Sequence, residues 1–182
     1  MKRSFKIIFC SALTSAFLLV SLPAYAAAKK KGPYRKLDVA ECPISKIDFD
    51  DGDTFECRGE DIRMLGVDAP EISHPRHGIA KDQEGGRDAA GFTEDAIKKA
   101  GRVLIVRSGK DRYGRTLAHV LLDGELLGAK LIKAGLAYES ISHFGDNGMP
   151  EFALQILEAA KVSPKPSFEE PYKWRKKHQK KS

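Results

Sequence analysis

From residue 37 to residue 122 the strand-like apolar residues come in short runs closed by turn signals, and that spacing limits the fold more than any other feature. The runs are 37–47, 54–57, 62–67, 103–106 ("VLIV") and 116–122 ("TLAHVLL"). "DDG" at 50–52 separates the first two, and Asp123-Gly124 ends the last. Short runs of this kind, bounded by Gly and Asp, read as strands and hairpins. Helical periodicity is confined to three places. Ala89, Phe92, Ala96, Ile97 and Ala100 make one stripe over 88–100, stopped by Gly101. Leu127, Leu131 and Ala134 make a shorter stripe, stopped by Gly135. Pro150 opens a third helix whose apolar face is Phe152, Ala153, Ile156, Leu157 and Ala160, and Pro164 ends it. Five short strands and three helices predict an α+β fold with the strands curled into a small β-barrel.

The two ends have a different composition. Lys2, Arg3 and Lys6 precede an apolar stretch, Ile7 to Leu22, and Ala24-Tyr25-Ala26 follows as a small-x-small cleavage site. Residues 1–26 therefore read as a signal peptide, and the stretch falls short of the ~20 residues that span a bilayer. We expect an exported protein, periplasmic or secreted, with no membrane association after cleavage, and a monomer. Residues 27–36 form a flexible basic lead-in, 37–162 the folded domain, and 163–182 a Pro-containing basic C-terminal tail. The formal charge of +6 comes from the ends, because residues 27–172 hold 22 Lys and Arg against 25 Asp and Glu. Basic runs such as "KWRKKHQKK" read as solvated tails that can add attraction to a phosphate backbone.

Cys42 and Cys57 remain after cleavage, and an oxidising compartment favours pairing them. Simple hairpin register opposes it, since a turn at 51–53 sets Cys57 against about residue 47. Barrel curvature restores the possibility, and two buried thiols are the alternative. His74 and His77 read as solvent-facing loop histidines, and His119 as an outward-facing strand residue or a helix cap.

The acids of "DGDTFECRGEDIRMLGVDAPE" (51–71) ask for a positive partner. Arg63 lies in an apolar strand and is costly there unless paired. Pro70 stiffens the turn between Asp68 and Glu71. Strict alternation puts Arg63 and Asp68 on opposite faces, so a break in the pleat is required, and Gly66 is its natural place. A second cluster, "GKDRYGR" at 109–115, sets Arg112 and Arg115 around a Tyr113-Gly114 turn. Asp53 and Asp68 are hard oxygen ligands for Ca²⁺ or Mg²⁺, Glu71 could take a proton from water, and Arg63 and Arg115 could clamp a phosphate. That set suits phosphodiester hydrolysis. The alternative is a structural salt bridge from Arg63 to Asp68 or Glu71.

"DGDTFE", "IRMLGVDAPE", "DRYGRTLAHVLLDG" and "LIKAGLAY", in this order over about residues 40–140, resemble the staphylococcal nuclease (thermonuclease) family. The ending "YKWRKKH" is similar to those of bacterial members. The resemblance implies a five-stranded OB-fold β-barrel with three α-helices. It also implies cleavage of DNA and RNA that depends on one Ca²⁺ ion, with 5′-oxygen departure and 3′-phosphate ends. By motif position, Asp53 and Asp68 match the metal carboxylates. Ala69 stands where the family enzyme has Thr and supplies a ligand through its backbone carbonyl. Glu71 matches the general base, Arg63 and Arg115 the catalytic arginines, and Arg112 and Tyr113 substrate-binding residues. Ile141 and His143 fall near the places of base-stacking tyrosines, which implies weaker substrate affinity. A catalytically inactive OB-fold nucleic-acid-binding module is the alternative, and a base beside paired aspartates argues against it.

Overall fold

The computed structural model describes residues 37–75 and 78–179; the expected signal peptide, the lead-in, His77 and residues 180–182 lie outside the described residues. The strands are β1 (Asp38–Glu41), β2 (Ile47–Phe49), β3 (Thr54–Cys57), β4 (Glu60–Met64), β5 (Val67–Asp68), β6 (Val103–Lys110), β7 (Thr116–Leu122), β8 (Glu125–Leu126) and β9 (Tyr138–Glu139). The helices are α1 (Gly86–Lys99), α2 (Leu127–Lys133), α3 (Ile141–Phe144), α4 (Pro150–Val162) and α5 (Pro171–His178). The α+β class and OB-type arrangement hold. The first expected strand is broken at Pro43 by a 3-10 turn over Ile44–Lys46, and the third is divided into β4 and β5. Helices α3 and α5 add to the three read from periodicity.

The main sheet runs β1-β6-β7-β4-β3-β2, with β8 on β7, and β5 pairs with β9 apart from it. All pairs are antiparallel except β4 with β7. Chain length forces this sheet to curl. Strands β1 and β2 lie at opposite ends of the order, which in a flat sheet means about 24 Å at ~4.8 Å per strand. Yet only the segment from Glu41 to Ile47 joins them, it includes the 3-10 turn, and six fully extended residues reach about 20 Å.

The interior is filled by Phe55, Ile62, Val103, Ile105 and Val120 from the strands, closed by Ile97, Leu127, Leu131 and Ile156 from the helices. Cys42, just past β1, is bonded to Cys57 of β3, with Cα atoms 6.3 Å apart. Cys57 does face Ile47 in the β2–β3 register. The bridge forms because Cys42 lies before the 3-10 turn, which folds the chain back across β3. His119 is not outward-facing. It is 2 % exposed, packs its ring 4.9 Å from that of Phe152 on α4, and its Nε2 has no hydrogen-bond partner among the described residues. Burial alone lowers its pKa to about 4, so the ring is neutral. The basic end is not a solvated tail throughout, since α5 folds back and buries Pro171 and Trp174.

Candidate active site

The β3–β4 hairpin brings the acids of the first turn to the strand that carries Arg63. Thr54 sits opposite Arg63, and the Met64 amide donates to the Asp53 carbonyl at 2.8 Å. Asp51 shapes the turn by accepting from the amides of Asp53 (2.9 Å) and Thr54 (2.7 Å) through one oxygen. That local bond fixes the backbone that aims Asp53 inward. Helix α1 seals the turn from behind. Thr93 Oγ1 donates to the Gly52 carbonyl at 2.6 Å, and a Cβ on Gly52 would lie 2.7 Å from Ala89 Cβ and 2.8 Å from Ala69 Cβ.

Strand β4 ends at Met64, and Gly66 adopts φ +81° before β5 begins. This turn is the break in the pleat that Arg63 and Asp68 require, and a left-handed residue there favours glycine. Asp68 thereby returns to Arg63's side. One guanidinium spans both acids: Arg63 Nη1 pairs with Asp53 Oδ1, and Nη2 lies 2.8 Å from Asp68 Oδ1. The second Asp53 oxygen accepts the Ala69 amide at 2.7 Å. Asp53 is fully buried, and such a carboxylate is stable only with this many charged and amide donors.

Glu71 joins the same centre after Pro70. Gln83 holds its backbone: the Gln83 amide donates to the Glu71 carbonyl at 2.8 Å, and the Glu71 amide donates to Gln83 Oε1 at 3.3 Å. Arg175 on α5 completes the group. Its Nη1 and Nη2 each lie 3.0 Å from one oxygen of Asp68, and Nη1 also lies 2.5 Å from Glu71 Oε1. Burial pushes the Glu71 carboxyl above its ordinary value; Arg175 opposes that shift, and the charge of Asp51 adds to it. Asp51 as a whole is half-buried, yet desolvation of its carboxyl raises it too, against the pull of Arg63. Burial works against the Arg175 guanidinium, but the charges and hydrogen bonds of Asp68 and Glu71 outweigh it and strengthen the cation.

Arg115 stands at the edge of this centre. It immediately precedes β7, whose Thr116 and Leu117 sit beside Ile62 and Arg63 of β4. Asp111 takes its Nε and Nη2 at 2.9 Å, and its charge reaches Asp51. Tyr113 is 67 % exposed at the hairpin tip, with the guanidinium carbons of Arg112 and Arg115 at 4.7 and 5.7 Å from its ring centre. Asp53, Arg63, Asp68 and Glu71 are thus brought together. Arg115 borders them, and Arg112 and Tyr113 form an exposed lip. Ile141 cannot stand in for a stacking ring, because it is buried against Gly66.

Sequence reasoning missed Asp51 and Arg175. Asp51 was legible in principle, because Asp two residues before a turn's end is a local capping signal. Arg175 carried no signal beyond its being the residue after the chain's one tryptophan.

Fold and site define an OB-type α+β domain with a buried carboxylate–guanidinium centre on its β3–β4–β5 corner. Residues 61–162 match the family model described as staphylococcal nuclease homologue. The chain belongs to that family. Arg63, Asp68, Ala69, Glu71 and Arg115 fall inside the matched segment, and Asp53 and Arg175 outside it. The chain is 34% identical to a thermonuclease of Staphylococcus hyicus over 116 residues, 59% of this chain and 67% of the relative. It is 39% identical to a thermonuclease of Staphylococcus intermedius over 92 residues, 48% of this chain and 53% of the relative. An uncharacterized endonuclease of Haemophilus influenzae is 29% identical over 133 residues, 72% of this chain and 66% of the relative. The chain therefore spans about half to two thirds of the length of these relatives.

Proposed function

We propose that the protein is an exported, calcium-dependent endonuclease that hydrolyses DNA and RNA and leaves 3′-phosphate ends. The observation that carries this reading is the single Arg63 guanidinium held by Asp53 and Asp68, with Glu71 against the same centre. The names of the relatives, thermonuclease and endonuclease, support it.

The donors fit a hard divalent ion. Asp53 and Asp68 offer only oxygen, come from the β2–β3 turn and from strand β5, and lie close enough to share one guanidinium. Among the described residues no group of three or more His, Cys, Asp and Glu side chains is placed to hold a metal ion, so an ion here would complete its shell with backbone carbonyl, water and phosphate oxygens. Asp53, Asp68 and the Ala69 carbonyl would hold it, and the bound ion would neutralise phosphate charge and polarise the phosphorus. Glu71 accepts a proton from a water molecule as that oxygen bonds to phosphorus. Arg63 and Arg115 donate to the non-bridging oxygens, where charge grows. The bond from phosphorus to the 5′-oxygen breaks, and the leaving oxygen takes a proton from solvent. Tyr113 and Arg112 hold the neighbouring nucleotide on the exposed lip, by stacking and by charge. The protein acts as a monomer.

Heat-denatured DNA and RNA incubated with Ca²⁺, and separately with a chelator, test the reading. Cleavage only with Ca²⁺, giving ends that a polymerase extends only after phosphatase treatment, is the expected result. Cleavage indifferent to chelator removes the metal. Retarded but uncleaved nucleic acid leaves the inactive OB-fold binding module instead.

A further inference from the structure

Asp68 and Glu71 are held by a residue more than one hundred positions away. Arg175 uses both ends of its fork on Asp68 and shares one with Glu71, a bidentate arrangement that fixes direction as well as charge. Its neighbours Lys173, Lys176 and Lys177 are exposed, so Arg175 is the one cation of α5 turned into the body among them.

Two readings compete: a removable plug, and a built-in part of the site. The attachment of the C-terminal segment favours the second. Gln83 Nε2 donates to the Glu169 carbonyl at 2.6 Å, and Tyr138 Oη donates to the Phe168 carbonyl at 2.8 Å. Phe168 is buried against Gly85, Trp174 is buried and stacked on His178, and Gln179 bridges to the buried Ile79. Gln83 itself binds the Glu71 backbone, so one buried side chain ties the base's turn to the segment that leads into α5. The charges agree. Asp51, Asp53, Asp68 and Glu71 present four carboxylates, and Arg63 and Arg175 two guanidinium groups. With Arg175 in place Asp68 and Glu71 each have a cationic partner, and Asp53 has Arg63.

We infer that Arg175 is a positioning residue of the active site, delivered by α5, that locks the carboxylates of Asp68 and Glu71 in their working orientation. This rests on the nuclease reading. It makes the basic C-terminal helix a part of the catalytic unit.

The test compares Arg175→Ala, Arg175→Lys and, as a control on the same helix, Lys176→Ala, in the full mature chain with Ca²⁺ and a defined oligonucleotide. Partners that orient metal-binding carboxylates typically cost 10–100-fold when removed, so kcat of Arg175→Ala should fall about 10–100-fold with KM unchanged. Arg175→Lys should recover part of the loss, and millimolar guanidinium ion should restore Arg175→Ala. Lys176→Ala should match wild type. Melting temperature and the emission of Trp174, the chain's single tryptophan, report whether α5 stays docked independently of turnover. An Arg175→Ala enzyme as fast as wild type, or faster, overturns the inference, the faster result marking α5 as a plug. Loss of α5 docking in both Arg175 variants, or no response to guanidinium, makes the residue structural and also overturns it. An inactive wild type is a different outcome, which removes the nuclease reading and this inference with it.

Discussion

At the residue scale the centre is ordered because each of its buried carboxylates has a partner that fixes its direction. Asp53 is held by Arg63 and by the Ala69 amide, Asp68 by Arg63 and Arg175, and Glu71 by Arg175. These pairs stabilise the fold only in so far as they offset desolvation, and their geometry serves orientation first. Glu71→Gln keeps the shape and the carbonyl oxygen but cannot take a proton. Its kcat should fall by about 10²–10⁴-fold with an unchanged circular dichroism spectrum, and a near-native rate would remove Glu71 as the base. Arg115→Ala should lower kcat by about 10²–10³-fold, the range for losing one donor to developing oxyanion charge. Single-turnover kinetics on a short oligonucleotide would show this directly, and an unchanged rate would reduce Arg115 to the partner of Asp111. Most of this centre was legible in the sequence, because the acids, Arg63 and the Pro70 turn lie within 21 consecutive positions. Arg175 was not. Nothing local distinguishes a cation that will turn inward from the lysines beside it, and only the tertiary path of α5 decides.

At the element scale, strands and long helices declared themselves through periodicity, and the two short additions did not. Helix α3 spans four residues, too few to show a stripe, and the sequence of α5 is dominated by charge. The burial of His119 was hidden for a related reason. In β7 the burial pattern does not alternate cleanly, because α4 covers part of the strand that strict alternation would leave in water. That burial has a pH consequence. The folded protein keeps the ring neutral down to about pH 4, whereas in the unfolded chain it takes up a proton from about pH 6.5 downward. The contribution to stability is therefore complete above pH 6.5 and is lost as pH falls towards 4, by about 3 kcal/mol in total. Urea denaturation at pH 7 and pH 4.5 should show the wild type losing more stability than His119→Leu, whose unfolded state has no such proton to bind. Equal losses in the two proteins would mean that His119 is solvated in the folded state.

At the scale of the whole molecule, the site depends on closing the sheet. Asp53 follows β2, Arg63 lies on β4, Asp68 ends β5, and Arg115 precedes β7, so the proposed site residues converge only if the sheet curls and stays curled. Its two outer strands, β1 and β2, are not hydrogen-bonded to each other among the described residues, which leaves the seam to the short connection between them. Register reasoning on a flat hairpin argued against a Cys42–Cys57 bond. That argument failed because it placed both cysteines on the pairing strands, whereas Cys42 lies on the seam itself, with its amide on the Val103 carbonyl at 2.9 Å. The bond thus pins the seam to the far end of β3, the strand whose other end follows Asp53. A cross-link over a sequence separation of 15 residues restricts the unfolded chain by about 3 kcal/mol. The Cys42→Ala/Cys57→Ala protein should unfold at correspondingly lower urea, and reductant should shift the wild-type midpoint to meet it while leaving the double variant where it is. Its activity at low temperature should stay close to wild type, because the carboxylates and arginines are held by their own hydrogen bonds and not by the sulfur bridge. A midpoint that reductant does not move would mean that the seam holds without the bond, and that β1–β6 pairing alone keeps the barrel curled around its site.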